Sequence, residues 1–240
     1  MEVTLLPNPS HLECVNPVAL GRTRAEFDDR RKDTKEVNFQ KTLCILVHGD
    51  AAFAGQGVVY ETMQMEDLHG YRVGGTIHIV VNNQIGFTTT PLEARTALHP
   101  TEVAKTVGAP IFHVNANDPE AVERVCRIAV EYRNRFNKDV VIDLVGYRKF
   151  GHNELDQPMF TQPKMYKKIA SLKPVSELYK AKLINEGVIT IKEADESVKK
   201  INDFMEAAFE KSKTHKFKQE DWRGRWQEEI VTALKYGKHK

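Results

Sequence analysis

Residues 42–57, TLCILVHGDAAFAGQG, pass from a continuous apolar run into a stretch of small residues. The run Thr42–Val47 is short and ends at His48-Gly49-Asp50, the pattern of a strand buried on both faces. Three more runs of this kind follow. They are Thr76–Val81 (TIHIVV), closed by Asn82-Asn83, Pro110–Val114 (PIFHV), closed by Asn115, and Val140–Val145 (VVIDLV), closed by Gly146. Helical segments are predicted between them at Val58–Leu68, at Thr101–Val107 with Thr101 as cap, and at Asp118–Phe136. In the last, Ala121, Val122, Val125, Ile128, Ala129, Tyr132 and Phe136 share one face. Asp118 is placed to cap it and Pro119 suits its first turn. Strands alternating with helices predict an α/β fold: an open parallel sheet with helices on both faces and right-handed crossovers.

At 240 residues the chain suits one large domain, or one domain with an appendage. The α/β pattern occupies residues 1–160. Residues 161–240 read as a helical appendage, with helices at Pro163–Ile169, Val175–Glu186 and Lys192–Lys213. In the last of these, Val198, Ile201, Met205, Ala208 and Phe209 form a stripe of the kind that packs into a core. The tail carries Trp222, Trp226 and a terminal KYGKHK. Residues 22–41 hold 12 charged residues and few apolar ones, which predicts a solvated surface loop or a ragged helix.

Composition narrows the classes. Lys+Arg 35 against Asp+Glu 33 gives +2, too balanced for a dedicated nucleic-acid binder. Cys14, Cys44 and Cys126 are odd in number and widely spaced, which excludes a disulfide framework and a CxxC zinc cluster. No apolar run approaches the length of a membrane span. The opening MEVTLLPNPSHLE has no basic region followed by an apolar core, so it is not a secretory signal. It reads as the interior of a longer protein, with Met1 as an added start.

In an open parallel sheet, ligands sit beyond the carboxyl ends of the strands. Asp50, Asn82 and Asn83, Asn115 and Asn117, and Tyr147–Glu154 fall there. The loop GDAAFAGQG lets backbone come close to a ligand, and a helix starting near Gly57 would turn its free N–H groups on an anion. A carboxylate with nearby amides is the donor set Mg²⁺ takes beside phosphates. The pair Asp50 and Asn83, at the ends of the first two strands, therefore predicts a magnesium–diphosphate site. The loop is neither GxGxxG nor GxxxxGK[ST], so nicotinamide-dinucleotide and P-loop readings fail. His48, beside Asp50, reads as buried support for the loop, and His78 and His113 as core.

GDA followed some thirty residues later by NNQIGF resembles the thiamine-diphosphate signature, usually written GDG then NN. NPSHLE (Asn8–Glu13), HGDAAFAGQG (His48–Gly57), NNQIGFTT (Asn82–Thr89) and APIFHVN (Ala109–Asn115) agree with one branch of it. So do KDVVIDLVGYRKFGHNE (Lys138–Glu154) and PMFTQPKMY (Pro158–Tyr166). With these, the stretch from Leu5 to Lys213 resembles the decarboxylating first components of 2-oxoglutarate dehydrogenase complexes. The related 2-oxoadipate enzymes share most of these motifs. A non-catalytic Mg–phosphate binding module is the competing class, and it gives no reason for NPSHLE and GHNE beside GDA and NNQI.

The resemblance implies thiamine diphosphate and Mg²⁺ as cofactors, with Asp50, the Asn83 side chain and the Ile85 backbone oxygen as metal ligands. It implies that the N–H groups of Ala51 and Ala52 face the diphosphate. Ala51 departs from the final glycine of GDG, as this branch commonly does. His11 and His152 are the candidates for lining the substrate pocket, and Glu154 either orients His152 or caps a turn. The implied partners are a lipoyl-bearing succinyltransferase component, a pyrimidine-binding domain of the same polypeptide, and a second copy in a homodimer. The implied compartment is the mitochondrial matrix in a eukaryote and the cytoplasm in a bacterium. Without the pyrimidine-binding domain this piece would hold half a site, be inactive, and expose an apolar docking face.

Overall fold

The computed structural model describes residues 3–34 and 38–215. The tail with Trp222 and Trp226 lies outside the described residues. The chain divides into two compact units, Met1–Lys182 and Leu183–Lys240.

The first unit opens with a 3₁₀ turn, Leu12–Val15, that runs into helix α1 (Asn16–Thr34). Most of the charged segment is thus helix. Charge pairs spaced by four support it, with Arg22–Glu26 and Arg24–Asp28 both at 2.9 Å. Phe27 is buried and stacks on Phe39 at 4.5 Å.

Strand β1 (Cys44–Gly49) leads into two short helices, α2 (Asp50–Gly55) and α3 (Gly57–Met63), and then β2 (Thr76–Asn82). The turn α4 (Pro91–Ala94) and a 3₁₀ turn, Pro100–Val107, precede β3 (Ile111–Asn115). Helix α5 (Pro119–Phe136) returns to β4 (Val140–Val145). Asp118 caps α5 as expected, its carboxylate accepting the Ala121 N–H at 3.0 Å.

The four strands form one parallel sheet in the order β1-β2-β4-β3. Two apolar clusters identify its faces. Val80 and Val141 pack with Phe53, Val59, Met63, Val103 and Ala104 from α2, α3 and the 3₁₀ turn. Ile77, Val140 and Ile142 pack with Val122, Val125 and Ala129 of α5. Helices therefore cover both faces. The cause is the strand order: the chain moves one way from β1 through β2 to β3, then back to β4, and right-handed crossovers in opposite directions fall on opposite faces. All four strands end on the same edge.

The segment Asp50–Gly55 differs from its reading as a loop. Gly49 and Gly55 bracket Ala51, Ala52 and Ala54, and alanine is the strongest helix former. A short helix therefore begins at Asp50, and the expected helix starts at Gly57 as α3.

Beyond the sheet come α6 (Pro163–Ala170), α7 (Val175–Asn185), within which the two units divide, and α8 (Ile191–Ser212). Thr190 and Glu193 form a capping box at the start of α8. The expected core stripe of α8 is not buried: Val198, Ile201, Met205 and Phe209 are exposed. Periodicity fixed the apolar face, but the described residues of the second unit supply no layer to cover it.

Candidate cofactor and metal site

Asp50 starts α2 directly after β1. Its residue is only 2% exposed. Burial pushes its carboxyl above the usual aspartate range, and the Arg95 guanidinium and the N–H groups of Ala51 and Asp50 itself oppose that. Arg95 Nη1 donates to Asp50 Oδ2 at 3.3 Å. Arg95 Nε is buried and has no partner. Nothing in the sequence marks Arg95, which reaches Asp50 from 45 positions away.

The second strand's end supplies the facing turn. Asn83 Oδ1 accepts the Ile85 N–H at 3.2 Å, and Ile85 is buried. Gln84 (φ 62°) and Phe87 (φ 54°) occupy the left-handed region, which glycine favours. Gly86 is required for a different reason. A Cβ placed there would meet the Ala51 Cβ at 2.7 Å, so the turn lies directly on the start of α2. The structure therefore brings Asp50, Ala51, Asn83 and Ile85 into one cluster.

The residues suit a hard divalent cation with an anionic ligand. Asp50 and Asn83 offer oxygen, the donor Mg²⁺ prefers. Asp50 is a buried carboxylate whose side-chain cation is a single long contact. The unpartnered Arg95 Nε is a buried donor without an acceptor, and arginine suits phosphate oxygens.

The cluster is clamped from the fourth strand. Gly146 N–H donates to Asn82 O at 2.8 Å, and Gln84 Nε2 donates to Gly146 O at 2.7 Å. Arg148 Nη2 donates to Phe87 O at 3.0 Å, and its Nε donates to Tyr166 Oη at 2.9 Å. The Tyr166 hydroxyl in turn donates to Phe150 O at 3.0 Å. Gln162 Nε2 donates to Thr88 O at 2.9 Å. These contacts explain the PMFTQPKMY stretch: it holds the two loops at a fixed distance.

His152 is exposed, with its ring edge-on to Phe87 at 4.9 Å between centroids. The His152 backbone N–H donates to Asp156 Oδ2 at 2.9 Å, which holds this turn. His11 is exposed and precedes the Leu12–Val15 turn. Leu12 Cδ1 lies 3.5 Å from the position of a Cβ on Gly49, which seats the SHLE turn on the end of β1. No direct contact joins either ring to Asp50.

Under the cluster runs a buried polar chain. His48 Nδ1 lies 2.6 Å from Glu13 Oε2, His48 Nε2 3.0 Å from His78 Nδ1, and His78 Nε2 3.4 Å from Asp139 Oδ2. Burial holds the His48 imidazole below its ordinary range, against the Glu13 hydrogen bond. A neutral His48 donates from Nδ1 to Glu13 and accepts at Nε2 from His78. The His78–Asp139 contact is the longest of the three. His48 and His78 thus fill the buried roles expected of them. His113 does not: its side chain is 40% exposed, because β3 is an edge strand.

A parallel α/β domain with oxygen donors, backbone amides and an arginine gathered at the carboxyl edge of its sheet is the class that fold and site define. Residues 2–220 match the family described as Dehydrogenase E1 component, and the chain belongs to that family. It is 58% identical over 214 residues, 89% of its length, to the 2-oxoglutarate dehydrogenase-like mitochondrial protein of Xenopus laevis. It is 54% identical over 222 residues, 92% of its length, to the mitochondrial 2-oxoglutarate dehydrogenase of Saccharomyces cerevisiae. The chain spans 21% and 22% of these two relatives. No helix among the described residues is long and apolar enough to cross a membrane.

Proposed function

We propose that this chain holds the Mg²⁺–diphosphate end of thiamine diphosphate in the first component of a 2-oxo acid dehydrogenase. The family supports thiamine diphosphate as the cofactor. The names of the relatives support 2-oxoglutarate as the substrate and the mitochondrial matrix as the compartment. The single observation that supports the site is the close approach of Gly86 to Ala51, which seats the turn that carries Asn83 and Ile85 against the start of α2, next to the buried Asp50.

In this reading Asp50, the Asn83 side-chain carbonyl and the Ile85 backbone oxygen hold the metal. Ala51 and Ala52 offer backbone N–H groups to the diphosphate. Arg95, whose Nη1 pairs with Asp50 and whose Nε is unpartnered, would be free to donate to a phosphate once the carboxylate is given to a cation. When bound, the cofactor supplies a carbanion and an electron sink for decarboxylating a 2-oxo acid. His11 and His152 bind the substrate's anionic groups and hold protons beside it, and Phe87 fixes the His152 ring. The succinyl group passes to a lipoyl group on the partner succinyltransferase, and the protein works as a homodimer. Phe87, Phe150, Leu155 and Phe160 are exposed around the cluster and form the apolar face that the pyrimidine-binding domain covers.

The test is calorimetric titration of thiamine diphosphate into the chain with and without Mg²⁺, beside Asp50→Ala. Binding that requires Mg²⁺ and is lost in Asp50→Ala is the expected result. Mg²⁺-dependent binding that survives in Asp50→Ala overturns the assignment.

A further inference from the structure

On the same face of the sheet, joined to the Asn83–Gly86 turn through the Asn82 side chain, stands a cluster that the proposed function does not use. His113 of β3 and Asp143 of β4 are register partners, and His113 Nδ1 lies 2.7 Å from Asp143 Oδ2. His99, which precedes the Pro100–Val107 turn, places Nδ1 3.7 Å from the same oxygen. The two imidazole rings are 4.0 Å apart between centroids. Ligand atoms of all three residues lie within 4.8 Å of one another.

The chemistry of this trio differs from that of the Asp50 cluster. Asp143 is fully buried. Among the described residues no lysine or arginine pairs with it. Its neighbours are the two imidazoles and Asn82, whose Nδ2 donates to Asp143 Oδ1 at 3.0 Å. A buried carboxylate without a fixed cation favours a positive charge beside it. Two imidazole nitrogens and one carboxylate oxygen form a borderline donor set, suited to Zn²⁺ and its neighbours rather than to Mg²⁺. Asn82 orients the carboxylate as an outer partner does in metal sites. Both histidine side chains are partly exposed, so water has access to a fourth position.

We propose that His99, His113 and Asp143 form a second cation site, specific for a zinc-class transition metal and separate from the Mg²⁺ site. A tetrahedral ion with bonds of about 2.0–2.1 Å sets its ligand atoms about 3.3 Å apart. The His113–Asp143 contact opens slightly to reach that spacing, and the wider separations close. Rotation of two partly exposed imidazoles supplies the movement.

The probe is Co²⁺ titrated into the metal-free, tag-free chain, followed by visible absorption. The expected result is one Co²⁺ per chain with the intense absorption of a four-coordinate ion, displaced by Zn²⁺ and not by excess Mg²⁺. His99→Ala and His113→Gln each weaken binding at least about tenfold, the scale on which metal sites respond to lost partners. Asp50→Asn leaves the absorption unchanged. His99 precedes a turn and is partly exposed, so its removal preserves the circular dichroism spectrum. Absence of stoichiometric binding, binding that survives both histidine replacements, or binding lost in Asp50→Asn overturns the proposal.

Discussion

Replacing Asp50 by asparagine and Arg95 by methionine, singly and together, separates the two roles of the Asp50 carboxylate. The pair is nearly dry, with side-chain exposures of 3% and 9%, and its contact is long at 3.3 Å. Two unit charges at that distance attract by about 5 kcal/mol at an effective dielectric near 20. Burial opposes this, and it outweighs Arg95 in setting the Asp50 carboxyl upward. The net coupling is therefore about 1–3 kcal/mol, and a double-mutant cycle by urea unfolding measures it. The binding experiment has opposite signs for the two single variants. Asp50→Asn removes the charged ligand, and Mg²⁺-dependent binding of thiamine diphosphate weakens at least about hundredfold, or about 2.7 kcal/mol. Arg95→Met removes the competitor for that carboxylate, so Mg²⁺ alone binds more tightly, while the diphosphate loses a donor. Calorimetry with Mg²⁺ alone, then with the cofactor, reads both. Mg²⁺ affinity unchanged or reduced in Arg95→Met would refute the claim that arginine and metal share one carboxylate.

Two further outcomes concern the scaffold. Arg133 is buried and donates to the carbonyls of Thr42 at 2.8 Å, Phe39 and Gly75 at 3.0 Å, and Val73 at 3.3 Å. Arg133→Met strands these carbonyls at a cost of about 3–5 kcal/mol, seen as a lower urea midpoint at unchanged slope, and Arg133→Lys restores only part because an ammonium lacks the fork. Burial holds the His48 imidazole below its ordinary value, near 6.5 for a free histidine. Its contribution is thus fully present above pH 6.5 and is lost as pH falls from there through the folded-state pKa, with a slope of at most about 1.4 kcal/mol per unit. Unfolding free energies from pH 7.5 downward show that slope in the wild type and a shallower one in His48→Gln; equal slopes would remove His48 as the source.

The strands were legible because each is a continuous apolar run closed by a polar or glycine turn; burial on both faces holds for β4 but not for the edge strand β1, where Ile45 and Val47 are exposed. Asp118 and Pro119 announced α5 for an equally local reason. What escaped the reading lies in contacts across sequence. The order β1-β2-β4-β3 depends on how crossovers pack, and no residue records it. Gly74 and Gly75 are left-handed, and a Cβ on them would strike the Phe39 side chain and the Lys138 backbone, segments far from them in sequence. In the candidate site, Asp50, Asn83 and Ile85 were readable because they sit at strand ends and belong to a motif. Arg95, Arg148 and Tyr166 were not, because an arginine or tyrosine in a loop carries no local sign of the partner it reaches.

The strand order also explains why the ligand turn can hold an unfavourable backbone. Gln84 and Phe87 in the left-handed region cost on the order of 1–3 kcal/mol each. A turn of that kind persists only where its surroundings over-determine it. Because β4 lies beside β2, the chain leaves the sheet at Gly146 within hydrogen-bond reach of Asn82, and the next residues run alongside the turn. Gln84, Phe87 and Thr88 are then tied to Gly146, Arg148 and Gln162 respectively. Had β3 lain beside β2, as the sequence order would suggest, Asn115 would occupy that position and Arg148 would be a strand further away. The insertion of β4 between β2 and β3 is thus what lets residues 146–166 brace the turn that carries Asn83 and Ile85. It also places the His152 ring against Phe87 of that turn.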